Sequence, residues 1–197
     1  MRLFAFTGVY GAGKTYSTIY LSYFFHRKYG IDIYANIDVD FGVKINPLRL
    51  VDDIVGGKFD RKPKIYIFDE FHRYANSSRS NSNLNQFFRL WIDMCRKNNI
   101  YVFYTAQRLM TVDKHIREMT DIIFELPREN RSLIRDRGEL KAYVYGELMS
   151  NVKIVYIPFI ENIANMYDSN EVIPPASIET FTKKYKKVLE RYWENVD

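Results

Sequence analysis

Residues 8–15 read Gly8-Val9-Tyr10-Gly11-Ala12-Gly13-Lys14-Thr15, the spacing G-x-x-x-x-G-K-S/T of a loop that wraps phosphate between a strand and a helix. The flanks supply both elements. Residues 2–6 are short, apolar and aromatic, as in a strand buried in a parallel sheet. After the loop, Tyr16, Ile19, Tyr20, Tyr23, Phe24 and Arg27 recur at helical spacing and predict one face of a helix that Gly30 can stop. Gly11 and Gly13 let successive N–H groups point at phosphate oxygens, and the helix N-terminus adds partial positive charge. Lys14 is expected to reach the β- and γ-phosphates and the Thr15 hydroxyl to ligate Mg²⁺. The candidate nucleotide-binding set is therefore Gly8, Tyr10, Gly11, Ala12, Gly13, Lys14, Thr15 and Tyr16, with ATP and Mg²⁺ as the expected ligands. Tyr16 also suits simple packing.

A second element supports the first. Residues 64–70 form an apolar strand that delivers Asp69 and Glu70 at its C-terminal end, where ligands sit in open α/β sheets. Asp69 suits Mg²⁺ coordination, giving Thr15 and Asp69 as the metal candidates, and Glu70 is placed to orient and deprotonate a water. The plainer readings are a helix cap for Asp69 and a surface carboxylate for Glu70.

Residues 31–37, 64–70, 100–104 and 121–126 read as further strands, and Leu84, Phe87, Phe88, Trp91, Met94 and Cys95 as a buried helical stripe between two of them. Strands alternating with helices predict a mainly parallel α/β sheet. Residues 140–145 and 152–159 look like two strands joined by a turn, an antiparallel annex. Beyond Pro174-Pro175, Ile178, Phe181, Tyr185, Val188, Leu189, Tyr192 and Trp193 predict a helix with an apolar face, for the sheet or for another subunit. Residues 75–85, rich in Ser and Asn, read as a flexible loop.

A chain of 197 residues suits one full core rather than two domains. The expected organisation is a single domain, 1–126 as nucleotide-binding core and 127–197 packed on it. One cysteine, Cys95, excludes an internal disulfide, and no zinc cluster is seen. No signal peptide or membrane-spanning run is evident, so the expectation is a soluble cytoplasmic protein with no membrane partner. Net charge +5 is compatible with a polyanionic partner. The cations gather at Arg128, Arg131, Arg135, Arg137 and Lys141, and at Lys183, Lys184, Lys186, Lys187 and Arg191; each group alone fits a solvated face equally well.

The stretch Cys95-Arg96-Lys97-Asn98-Asn99-Ile100-Tyr101-Val102-Phe103-Tyr104-Thr105-Ala106-Gln107-Arg108 resembles the segment of HerA–FtsK superfamily ATPases in which an arginine precedes the fourth strand and a Thr-x-Gln ends it. Residues 110–118 are also similar to the corresponding part of zonula occludens toxin-type phage assembly ATPases and small archaeal-virus packaging ATPases. The resemblance covers roughly residues 1–126 and implies roles for two more residues: Gln107 as a sensor of the γ-phosphate or the attacking water, and Arg96 as a finger reaching a neighbouring subunit's site. Arg79, Arg89, Arg108 and Arg117 are rival fingers, and a plain helix C-terminal cation is the bland alternative for Arg96. The fold expected is a P-loop NTPase of the RecA-like type, a five-stranded core sheet in the order 5-1-4-3-2 with a C-terminal β-hairpin annex and helix.

The catalytic candidates are Lys14, Glu70, Arg96 and Gln107. With them the expected function is an ATP-hydrolysing motor that moves double-stranded DNA, as in viral genome packaging. It would act as a homo-oligomeric ring such as a hexamer, with a capsid or other viral partner, in the host cytoplasm if viral. Residues 76–83 with Arg79, and a basic hairpin at 128–141, are the expected DNA-facing loops. A small nucleoside or nucleotide kinase, for which Arg128–Arg137 would serve as lid, and a nucleotide-gated assembly scaffold are the competing classes. The chain lacks the membrane segment of the toxin-type assembly proteins and the large accessory domains of cellular HerA and FtsK, which favours a compact viral or plasmid motor.

Overall fold

The computed structural model describes residues 2–50, 62–79, 81–146, 151–168 and 171. Among these, eight strands form one sheet: β1 (Arg2–Thr7), β2 (Asp32–Ala35), β3 (Val43–Lys44), β4 (Lys64–Phe68), β5 (Ile100–Ala106), β6 (Ile122–Glu125), β7 (Leu140–Tyr145) and β8 (Lys153–Ile157). Their order is β3-β2-β4-β5-β1-β6-β7-β8. The first six in that order run parallel, and β7 and β8 each run antiparallel to the strand before them.

The sheet is wider than the five strands the sequence predicts. The expected 5-1-4-3-2 core lies inside it as β6-β1-β5-β4-β2. At one edge β3 is added, two residues that are too few to leave a periodic trace. At the other, the expected annex is no separate unit: β7 and β8 continue the same hydrogen-bonded sheet beyond β6.

Packing on the two faces explains the strand sequences. On β5, Tyr101 and Phe103 face Phe25 of helix α1 (Lys14–Tyr29), at ring-centroid distances of 6.3 and 6.2 Å. The alternate residue Tyr104 packs on Phe71 at 5.3 Å. On β4, Tyr66 and Phe68 meet Trp91 of helix α2 (Asn83–Lys97) edge-on at 5.1 and 5.5 Å. Successive strand residues point to opposite faces, so aromatic-rich strands can bury both sides at once. The α2 stripe is buried as its spacing predicts, with Met94 only partly so, and Cys95 is a free core thiol.

Helix α1 departs from its predicted face. Its buried residues are Tyr16, Ser17, Thr18, Ile19 and Ser22, while Phe24 is exposed. Small side chains bring the helix close to the sheet, and their polarity is largely met within the helix: Thr18 Oγ1 donates to Lys14 O at 2.9 Å and Ser22 Oγ to Thr18 O at 2.8 Å. Gly30 ends the helix in the left-handed conformation expected of it.

Among its described residues, the 75–85 stretch is not loose at its two ends. Asn76 bridges Val112, and buried Asn85 donates to Asn76 O at 2.7 Å and Asp113 Oδ2 at 3.0 Å. Asp113 also caps the short helix α3 (Lys114–Glu118) and receives Arg89 through Nε at 2.9 Å and Nη2 at 2.6 Å. Arg89, one of the rival fingers, is thus engaged by Asp113 in this structure. The basic stretch 128–141 is no hairpin either: it holds helix α4 (Asn130–Arg135) and then enters β7. The expected C-terminal helix and the second basic cluster lie outside the described residues. Among the described residues no helix is long and apolar enough to cross a membrane.

The register fixes where chemistry can gather. Thr7 pairs with Ala106, Phe68 with Tyr104 and Ala35 with Ile67. Gly8, Gln107, Asp69 and Asn36, which follow these strands, therefore share one rim of the sheet.

Candidate nucleotide-binding and active site

The glycine loop owes its shape to two close approaches. A Cβ at Gly8, whose φ is 148°, would lie 2.4 Å from Leu126 O; Gly13, at φ 89°, caps α1 and lies against Ile134 and Leu140. Buried Asn130, at the start of α4, clamps the loop from outside. Its Nδ2 reaches Ala12 O at 3.3 Å and Lys141 O at 2.8 Å, and its Oδ1 accepts from Lys141 N at 3.0 Å. Arg131 Nε donates to Tyr10 O at 2.6 Å. Gly8 and Ala12 thus frame the loop, while Tyr10, Gly11, Gly13, Lys14, Thr15 and Tyr16 line a cleft of about 630 Å³.

At one end of the cleft lie the expected charged groups. Lys14 Nζ donates to Val9 O at 3.1 Å across the loop. Burial lowers the Lys14 pKa, opposed by the charges of Asp69 and Glu70 and helped by Arg131. Asp69 Oδ1 accepts two hydroxyl hydrogen bonds, from Thr15 at 2.9 Å and Thr105 at 2.7 Å. Burial raises the Asp69 pKa, and these two hydroxyls oppose the rise.

Such a cluster of hard oxygens fits Mg²⁺, a cation that keeps water and substrate oxygens in its shell and does not need an all-protein cage. Thr15 and Asp69 would hold it, and it would neutralise charge on the phosphates. Among the described residues no group of three or more His, Cys, Asp and Glu side chains could hold a metal by itself.

Glu70 sits in the left-handed region, φ 50° and ψ 47°, a conformation that costs a non-glycine residue about 1–2 kcal/mol. Three contacts hold the turn. Glu70 N donates to Thr105 Oγ1 at 2.8 Å, Arg73 N to Glu70 O at 2.9 Å, and Arg73 Nε to Glu70 Oε2 at 2.6 Å. Asn36, at the tip of β2, grips Asp69 from both sides, Nδ2 to Asp69 O at 2.9 Å and Asp69 N to Oδ1 at 2.7 Å. Local strain of this kind persists where surrounding contacts over-determine it, as at working sites.

The opposite wall comes from the far end of the chain. The Tyr16 hydroxyl donates to Pro158 O and accepts from Ile160 N, both at 2.8 Å, and its ring stacks on Phe159 at 5.1 Å. Phe159, Ala164 in helix α5 (Glu161–Ala164), Tyr167 and Glu171 line the cleft. This segment is fastened to the β2–β3 connection: Tyr167 bridges Val39, Asp40 N donates to Met166 O at 3.0 Å, and Glu171 pairs with Lys44 at 2.6 Å. Burial, with the nearby charge of Asp69, pushes the Tyr167 hydroxyl pKa well up. Aromatic walls meeting a floor where Lys14 and Arg73 stand beside Asp69 and Glu70 suit a nucleotide with its cation, base at one end and phosphates at the other.

Two expected residues stand apart. Gln107 is exposed on the shared rim and does not line the cleft. Arg96 falls in the last turn of α2, just before β5 begins, at the rim of the sheet opposite the glycine loop; its side chain lies outside the described set. The groups that sequence reasoning passed over are Asn36, Arg73, Thr105, Arg131, Phe159 and Tyr167. For Thr105 a signal existed, a hydroxyl at the tip of the strand beside the carboxylates.

Solved structures share this fold. The N-terminal domain of zonular occludens toxin from Neisseria meningitidis superposes with a TM-score of 0.56 at 15% identity, over 85% of this chain and 98% of that one. The genome packaging NTPase B204 of Sulfolobus turreted icosahedral virus 2, in complex with AMPPCP, gives 0.58 at 9% identity, over 81% and 98%. The cytoplasmic domain of the type VII secretion ATPase EccC of Thermomonospora curvata gives 0.57 at 13%, over 81% of this chain and 24% of that one. No curated protein matches the sequence. The architecture is thus that of P-loop ATPases, and residues 52–172 match the sequence pattern of one of their families. The chain belongs to the zonular occludens toxin (Zot) family.

Proposed function

We propose that the protein is a Mg²⁺-dependent ATPase that works as a homo-oligomeric ring and moves double-stranded DNA, in the manner of viral genome packaging. The observation that carries the catalytic part is the convergence of Lys14, Thr15, Asp69 and Glu70 in one cleft. In the reaction, Lys14 draws charge from the β- and γ-phosphates and the Glu70 carboxylate accepts a proton from water. The water oxygen bonds to the γ-phosphorus as the bond to the bridging oxygen breaks, leaving ADP and phosphate. Support for the motor part comes from the shared fold with a packaging NTPase and the net charge of +5; Arg96 would be the finger that reaches a neighbour's site. Gln107, on the rim beside the loop, would carry the state of the phosphates outward.

The test is the ATPase rate per chain as protein concentration rises, with and without duplex DNA. A shared site predicts a rate that increases with concentration and again with DNA, the latter effect fading with salt as phosphate contacts do. A rate per chain that is flat in both would overturn the ring and DNA coupling. Turnover indifferent to DNA alone would favour a nucleotide-gated assembly scaffold. A kinase would instead phosphorylate an added nucleoside monophosphate. Lys14→Ala is expected to weaken binding of a non-hydrolysable ATP analogue by about 10- to 100-fold, the worth of charge-assisted hydrogen bonds, as measured by titration.

A further inference from the structure

We infer that Arg73 is a residue of the reaction: it holds Glu70 until a triphosphate arrives, then turns to the outermost phosphate and releases the carboxylate to the water. The inference rests on the ATPase reading and deepens it by naming an arginine that acts within its own chain.

Local geometry brings Arg73 onto Glu70. Asp69 and Glu70 are followed at once by a single 3-10 turn, Phe71–Arg73, with Glu70 as its N-cap. A 3-10 turn has three residues, so positions i and i+3 eclipse and the Arg73 side chain projects back over Glu70. The turn cannot easily tilt away. Phe71 is fully buried, with rings of Phe68, Phe88 and Tyr104 at 5.2, 5.2 and 5.3 Å. The Glu70 backbone is pinned in its left-handed conformation by Thr105. With main chain and anchor fixed, the side-chain pair is what remains adjustable.

Placement and chemistry then point the same way. Arg73 and Glu70 both line the cleft that holds Lys14 and Thr15, and the Arg73 side chain is 40% exposed against 24% for Glu70. A guanidinium presents five N–H donors in a planar fork, which matches carboxylate and phosphate oxygens alike. A terminal phosphate carries more charge than one carboxylate and more acceptor oxygens, so it competes well for that fork. Glu70 paired with Arg73 at 2.6 Å has one oxygen committed to a cation; release opens both oxygens to the water and its proton. An exchange of partners couples arrival of the γ-phosphate to readiness of the base, and it spares the apo protein futile water activation.

The experiment compares the parent with Arg73→Ala and Arg73→Lys, measuring affinity for a β,γ-methylene ATP analogue and for ADP, with kcat and KM for ATP. Arg73→Ala is expected to keep ADP affinity, lower the preference for triphosphate over diphosphate by about tenfold, and reduce kcat by about 10²- to 10³-fold. Arg73→Lys, which keeps the charge without the fork, is expected to recover part of the preference. If Arg73→Ala loses ADP affinity as well, Arg73→Gln carries the same measurement. An ion pair that only braces the turn leaves the triphosphate-to-diphosphate ratio at the parent value, and that result overturns the inference while ATP hydrolysis by the parent still stands. A parent that neither binds nor hydrolyses ATP removes both readings together.

Discussion

Glu70→Gln is expected to bind a non-hydrolysable ATP analogue at least as well as the parent and to lose turnover by about 10²- to 10⁴-fold, the usual worth of a positioned general base. Glutamine keeps the length of the side chain and can occupy the same left-handed turn, with its N–H still on Thr105 Oγ1. It cannot accept the proton. Asp69 is no substitute, because its Oδ1 is already engaged by the Thr15 and Thr105 hydroxyls and burial disfavours its charge. Losing the carboxylate also frees Arg73 from its ion pair, so affinity for the triphosphate should not fall. Single-turnover measurement separates the chemical step from product release; equal single-turnover rates in Glu70→Gln and parent would remove Glu70 from the role of base.

The largest expected effect on stability is at Asp113. This residue is fully buried and joins two helices at once: it receives the Arg89 guanidinium and the Asn85 amide from α2 and the His115 N–H that opens α3. Its own N–H donates to Ala75 O at 2.9 Å. Asp113→Asn keeps the shape but removes the charge from this ion pair, a loss of about 2–3 kcal/mol once the partial exposure of Arg89 is allowed for. For a chain of this size that corresponds to a fall of about 4–12 °C in Tm.

The pH dependence has a definite sign. Burial opposes ionisation of Asp113, but the Arg89 guanidinium, with Asn85 and His115, outweighs it and holds the carboxyl below its ordinary range. The pair's contribution is therefore complete above the ordinary carboxylate pKa and disappears as pH falls through the lower folded value. Thermal melts from neutral to acid pH should show the gap between parent and Asp113→Asn narrowing in that window. A gap that widens toward acid would contradict the assignment.

The phosphate end of the site was legible in the sequence because its demands are local. Eight consecutive residues carry the loop, and a strand ending in two acids carries its partner. The remainder of the site depends on which strands become neighbours. Thr105 and Asn36 matter only because β5 and β2 flank β4 and end on the same rim. Arg73 was hidden by a turn of one residue triplet, too short for periodicity to register. The aromatic wall was least visible of all, since Tyr16 and Pro158 are 142 positions apart when they meet. The α1 face was misjudged for a different reason: hydropathy ranks Phe24 above Ser17, Thr18 and Ser22, whereas close approach of a helix to a sheet selects for small volume.

Residues 158–168 and Glu171 wrap over the cleft, and this bears on the order in which the nascent protein becomes competent. A ribosome that has released the chain through β6 has already delivered the glycine loop, both acids and their threonine. Nothing yet roofs the place where a nucleobase would lie, because Phe159, Ala164 and Tyr167 are still unmade. Asn130, which clamps the loop, follows soon after β6, and choosiness among nucleotides would be acquired only when the last described stretch folds back onto Val39 and Lys44.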